Sequence, residues 1–138
     1  MKNAIAALRR RYNDYAEQLG APQQYIMFRE TPAHDGSPHI ESEGADFCFV
    51  VTERGTEFER RRTREPETIL YWLLNGLTFQ MASDFEVKHR KPNEDSRRQL
   101  FTKQIELLSS MNPDWGRRRA EELRQVLSEH PYVDSSSA

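Results

Sequence analysis

Two histidines and one carboxylate lie close together early in the chain, at His34, Asp35 and His39. Imidazole nitrogens and carboxylate oxygens are common metal ligands, so a small metal protein or enzyme built on His34 and His39 is one alternative. Their spacing matches no zinc pattern, and residues 29–38 are rich in Pro, Gly and Asp, which is typical of a polar loop. We therefore expect neither a metal ion nor a cofactor at these residues.

The chain has a single cysteine, Cys48, which lies between Phe47 and Phe49. A nucleophilic thiol needs exposure and a basic neighbour, whereas this apolar strand pattern predicts a buried, unreactive thiol. The sequence also lacks the motifs of zinc proteases, phosphate loops, dinucleotide-binding sites and serine hydrolases. We predict that the protein is not an enzyme and has no catalytic residues.

Two arginine clusters could bind phosphate groups: Arg60-Arg61-Arg62 with Arg64, and Arg117-Arg118-Arg119. Both clusters have glutamates beside them, and alternating charge is typical of a solvated surface. The 20 basic and 22 acidic residues give a net charge of −2, without the net basic footprint of a nucleic-acid binder. We therefore do not expect nucleic acid as a partner, although a nucleic-acid or regulatory binding module using these arginines remains the alternative function.

Cys48 and the first arginine cluster are positioned by a predicted β-hairpin that begins at Asp46. Its first strand has Phe47, Phe49 and Val51 on one face and Cys48 and Val50 on the other, which predicts a central strand. Glu53-Arg54-Gly55 supplies the turn, because Gly55 can adopt positive φ. The returning strand, Thr56–Thr63, is mostly charged and is expected at a sheet edge, with Phe58 beside Phe49 as its apolar anchor.

Helical spacing of apolar residues predicts four helices. They cover residues 2–19, the segment from Pro66 to about Arg90, residues 94–111, and the segment after the Asn112-Pro113 start signal. In the second helix, Trp72 and Phe79 are expected to pack in the core. Short strands are expected at Tyr25–Phe28 and His39–Glu43, and Tyr132 is expected to fold back onto the body.

The predicted fold class is α+β, with a small antiparallel sheet of three to four strands packed on one face against about four α-helices. The 138 residues are expected to form a single domain over residues 1–134, followed by a disordered tail at 135–138. No apolar run approaches the length of a membrane span. We therefore expect a protein of the cytoplasm that has no membrane partner.

One predicted surface could bind a protein. If Phe47, Phe49 and Phe58 face the helices, strand alternation turns Glu57, Glu59 and Arg61 outward, and Glu41 and Glu43 alternate in the neighbouring strand and join that face. The result would be an acidic-leaning stripe that attracts a basic partner. A sheet face that is merely hydrated is the alternative interpretation.

Several short motifs resemble those of one known family. They are the Glu53-Arg54-Gly55 turn, Leu70-Tyr71-Trp72, Met81-Ala82, Phe85-Glu86 and His130-Pro131-Tyr132. From about Phe47 to Tyr132 the chain resembles an immunity-protein family of bacterial polymorphic toxin systems, the one numbered 63. This resemblance implies packing roles for Trp72 and Phe85 and no catalytic residues.

The resemblance implies a function as well as a fold. Immunity proteins of this kind are encoded beside a secreted toxin, including toxins of contact-dependent growth inhibition, and bind its toxic C-terminal domain in the cytoplasm. Many such toxins are nucleases with basic substrate clefts, so an acidic face could imitate phosphate. We expect stoichiometric binding of a cognate toxin domain, with five candidate contact residues: Glu41, Glu43, Glu57, Glu59 and Arg61.

Overall fold

The structure is a computed structural model that describes residues 1–135, and these residues form an α+β fold of one three-stranded antiparallel sheet and four α-helices. The sheet has the order β1-β2-β3, with β1 at Asp35–Glu43, β2 at Asp46–Glu53 and β3 at Thr56–Thr63. The helices are α1 (Lys2–Gln18), α2 (Pro66–Lys88), α3 (Ser96–Met111) and α4 (Pro113–Glu129). The fold class predicted from the sequence is confirmed.

Two-residue turns connect the three strands. Arg54 and Gly55 have φ of 52° and 81°, and positive φ at both central residues defines a type I′ turn, whose twist matches that of the flanking strands. Gly44, with φ of 59°, begins the turn between β1 and β2. The predicted turn at Glu53-Arg54-Gly55 is confirmed, and β1 extends further than the predicted His39–Glu43.

Strand β2 is the central strand, as its pattern predicted. Phe47 and Phe49 are buried on one face, and Cys48 and Val50 are buried on the other. The register of this strand is strongly specified, because a slip by one residue would move Phe47 and Phe49 to the face that Cys48 and Val50 occupy.

A β-bulge interrupts the pairing of β2 with β3. Val51 pairs with Glu59 and Thr52 pairs with Glu57, so Phe58 is the extra residue on β3. The predicted pairing of Phe58 with Phe49 is wrong, because Phe49 pairs with Arg61 and Phe58 is 67% exposed. The bulge explains the difference, since it ends the simple alternation on which the prediction depended.

The segment predicted as a strand at Tyr25–Phe28 is not a strand. A short 3-10 helix spans Gln23–Tyr25, and an extended segment follows it. The Ile40 amide donates to the Arg29 carbonyl over 2.9 Å, so the segment makes one backbone contact with β1. The Phe28 ring lies 5.9 Å from that of Tyr12 in α1, so the apolar side chain at Phe28 packs against a helix.

Helix α2 begins at Pro66, where a proline loses no helical hydrogen bond. The amides of Thr68 and Ile69 donate to the Glu65 carbonyl, which places Glu65 at the N-cap. Its first turns are buried almost all round, through Ile69, Leu70, Tyr71, Leu73 and Leu74. Trp72 is half-buried, and Phe79 is 44% exposed, so the core position predicted for Phe79 is wrong.

Side-chain caps start the last two helices, and the one at Asn112-Pro113 was predicted. Asn112 caps α4 by accepting a hydrogen bond from the Asp114 amide at 2.9 Å, and Asp95 caps α3 through the Arg97 amide. Tyr132 folds back as predicted, with its ring 6.3 Å from that of Phe101.

The chain divides into two compact units, with the division inside α2 between Leu74 and Asn75. The expected single domain over residues 1–134 remains a prediction. Of the expected tail at 135–138, Ser135 is exposed and the rest lies outside the described residues. None of the helices within residues 1–135 has the length and apolar composition of a membrane span.

Candidate partner-binding surface

The strand register divides the charged side chains of the sheet between its two faces. Glu41 pairs with Cys48, Glu43 with Asp46, and Arg60 with Val50. Because neighbours in register share a face, these side chains lie on the Cys48 face. The bulge at Phe58 brings Glu57 to the same face, opposite Thr52.

Arg60 is the centre of the charged group on the Cys48 face. Its guanidinium lies 2.8 Å from Glu57 Oε1, 3.1 Å from Glu41 Oε1 and 3.2 Å from Glu43 Oε1. Arg62 Nη2 lies 2.7 Å from the second oxygen of Glu43. We call Glu41, Glu43, Glu57, Arg60 and Arg62 the Arg60 cluster. Networks of this kind hold long side chains in fixed positions, which isolated surface ion pairs do not.

The pKa values of Glu41, Glu57 and Arg60 move in the direction that ion pairing predicts. A hydrogen bond from His39, and then one from Arg60, lower the pKa of Glu41 below its ordinary value. Hydrogen bonds from Arg60 also lower the pKa of Glu57, while those carboxylates raise the pKa of Arg60. Glu41 and Glu57 are therefore ionised at neutral pH.

His39 connects the cluster to the interior. Its side chain is fully buried, and its Nε2 lies 2.6 Å from Glu41 Oε2.

Burial raises the pKa of the Cys48 thiol, with Glu43 acting in the same direction and Arg60 and Arg62 opposing it. Cys48 is buried and unpaired by disulfide, as predicted, and its raised pKa keeps it in the unreactive thiol form.

Glu59 and Arg61 lie on the opposite face of the sheet. Arg61 pairs with Phe49 across the strands, and its guanidinium lies 4.6 Å from the ring centres of both Phe49 and Trp72. Glu59 Oε1 lies 3.1 Å from Arg61 Nε. Stacking on two rings restricts the guanidinium while leaving part of it in water.

The structure thus divides the five candidate residues into two groups. Glu41, Glu43 and Glu57 come together, whereas Glu59 and Arg61 form a separate pair on the other face. The expectation of one continuous stripe is wrong, because it assumed unbroken alternation along β3. Arg60 forms ion pairs with three of the candidate glutamates, although the sequence identified it only as part of an arginine cluster. It lies two residues after a bulge that the sequence does not signal, so its face of the sheet could not be predicted.

The second arginine cluster is also ion-paired. Arg118 and Arg119 lie 3.4 Å and 3.1 Å from Glu122, and Arg117 pairs with Asp114. Arg119 Nε also donates to Gln104 Oε1 at 3.0 Å. Each of these three arginines thus has an acidic partner within the protein.

The three residues considered as metal ligands, His34, Asp35 and His39, have different environments. His34 is exposed, Asp35 accepts a hydrogen bond from the Ser37 amide, and His39 is buried beside Glu41. Within residues 1–135, no group of three or more histidine, cysteine or acidic side chains is arranged to hold a metal ion.

The fold and the ion-paired sheet surface define a small α+β protein with a network of ion pairs between β1 and β3 on one face of its antiparallel sheet. A model of the immunity protein 63 family matches residues 43–125, which is more than half of the chain. The chain therefore belongs to the immunity protein 63 family, and the resemblance drawn from its motifs is confirmed. No curated protein and no solved structure matches the chain.

Proposed function

We propose that this protein neutralises a cognate secreted toxin by binding its toxic C-terminal domain in the cytoplasm, without catalysis. The observation that carries the proposal is the family match over residues 43–125. Inhibition by binding requires a stable, complementary surface rather than reactive groups. The unreactive thiol of Cys48 and the ion-paired arginines are consistent with that requirement.

The Arg60 cluster is the proposed region of contact. It has three carboxylates against two guanidinium groups, so its formal charge is −1. The excess is small, but the carboxylates are already held in place, which lowers the entropy cost of ordering them in a complex. A basic toxin surface, such as the substrate cleft of a nuclease, would be attracted to the unsatisfied lone pairs of these glutamates.

Glu59 and Arg61 are proposed as a separate contact on the opposite face. A toxin domain that touched both groups would have to wrap around the edge strand β3. The stacked Arg61 is suited to an interface, because arginine beside aromatic rings is common among residues that dominate binding energy.

The proposal is tested by protection of growing cells. The toxin domain encoded beside the gene for this chain is expressed from an inducible promoter, with and without this protein. Growth should be restored only when both are present. Continued growth arrest, with the protein folded and abundant, would contradict the proposed function.

A further inference from the structure

Phe58 is the most exposed aromatic residue in the part of the chain that the structure describes, at 67% exposure. It lies in the middle of the edge strand β3 and not at a frayed terminus. Single exposed apolar residues are common on protein surfaces. Phe58 differs from them because the backbone fixes its position and because charged groups flank it on both sides.

Two backbone features fix the position of Phe58. The bulge makes it the extra residue between the pairs Val51–Glu59 and Thr52–Glu57, and bulges redirect a side chain away from the regular faces of a sheet. The type I′ turn at Arg54-Gly55 sets the register just before it. The ring is thus presented on a short, well-defined hairpin.

Both sequence neighbours of Phe58 are ion-paired. Glu57 is bound by Arg60 on one face of the sheet, and Glu59 lies against Arg61 on the other. An exposed ring between two ion-paired carboxylates has the composition of an interface anchor, with an apolar centre and a polar rim. A partner that fits it offers an apolar pocket with basic groups at its edge.

We infer that Phe58 is the anchor of the toxin interface and inserts into an apolar pocket of the toxin domain that is rimmed by lysine or arginine. This inference rests on the proposed function and specifies its contact. Insertion of a side chain fits this edge better than addition of a partner strand, since a bulge disrupts the regular hydrogen-bonding edge that a new strand requires.

The test compares Phe58→Ala with Phe79→Ala. Both remove an exposed phenylalanine ring, but Phe79 lies on α2 and is 44% exposed. Affinity for the toxin domain encoded by the adjacent gene is measured by calorimetry, after thermal melting has shown that both variants fold. Truncation of an interface anchor weakens binding by about 30-fold or more, whereas loss of a ring outside the interface changes affinity by less than about threefold.

The outcomes separate the inference from the proposed function. If the wild-type protein does not bind the toxin domain, the proposed function fails. If it binds and Phe58→Ala binds equally well, or loses no more than Phe79→Ala, only the anchor inference is overturned. The basic rim is tested by ionic strength, because attraction to the flanking carboxylates requires the association rate to fall as salt is raised. An association rate that does not change with salt would overturn that part of the inference.

Discussion

Arg60 Nη2 lies 2.8 Å from Glu57 Oε1, although the two residues are three positions apart on one strand. In a regular strand, residues separated by three positions project from opposite faces. The bulge at Phe58 adds one residue to β3 and so places both side chains on the Cys48 face. A single backbone irregularity therefore creates the Arg60 cluster.

Replacement of Arg60 by methionine should lower the melting temperature at neutral pH. Methionine keeps much of the aliphatic stem but removes the charge, so Glu41, Glu43 and Glu57 would repel one another with only Arg62, paired with Glu43, left to offset them. Arg10→Met serves as the control, because Arg10 is exposed on α1. If the two variants melt at the same temperature, the cluster does not stabilise the sheet.

Stability should also depend on pH through Glu41 and Glu57. Both carboxylates have a folded-state pKa below the ordinary value of 4.5. Their contribution is therefore fully present above that value and is lost as the pH falls through the lowered folded pKa. Thermal melts between about pH 6 and pH 2.5 should show a smaller acid-dependent decrease for the Glu41→Gln/Glu57→Gln variant than for the wild type. Identical slopes would refute this contribution.

Neutralising part of the Arg60 cluster should slow association with the toxin domain. Glu43→Gln/Glu57→Gln removes two of the three carboxylates, and rates of steered association fall when complementary charge is removed. The matched control is Glu106→Gln/Glu129→Gln, which changes the net charge equally on α3 and α4. Stopped-flow rates that decrease equally for both variants would point to net charge rather than to this surface.

Gly116 is required by the close approach of α4 to α3. A Cβ added there would lie 1.8 Å from Ser109 Oγ and 3.1 Å from Ser109 Cα. Gly116→Ala should therefore reduce the free energy of unfolding by about 1–3 kcal/mol, as other overpacked sites do. Adding Ser109→Gly should recover part of the loss in urea denaturation. A Gly116→Ala protein as stable as the wild type would show that the helices separate readily.

The sequence predicted elements whose signals are local. The Arg54-Gly55 turn and the Asn112-Pro113 helix start both depend on neighbouring residues alone, and both are confirmed. The apolar pattern of β2 likewise predicted a central strand. Local conformational preferences are sufficient for such features, because a turn or cap is satisfied within a few residues.

The features that were missed depend on contacts between distant residues. The bulge at Phe58 arises from the pairing of β3 with β2, and no residue in β3 signals it. The apolar run that ends at Phe28 has the composition of a strand, but the Phe28 ring packs against Tyr12 and the Arg9 guanidinium lies over it. The division of the candidate glutamates between two faces follows from the same register, which the alternation of β3 alone does not define.

The central claim is tested most directly by calorimetric titration of this protein into the purified toxin domain encoded beside its gene. We predict a complex of one to one stoichiometry, with a dissociation constant of roughly nanomolar order or below, as stable inhibitory interfaces have. The absence of binding by a folded protein, at concentrations up to about 100 micromolar, would contradict it.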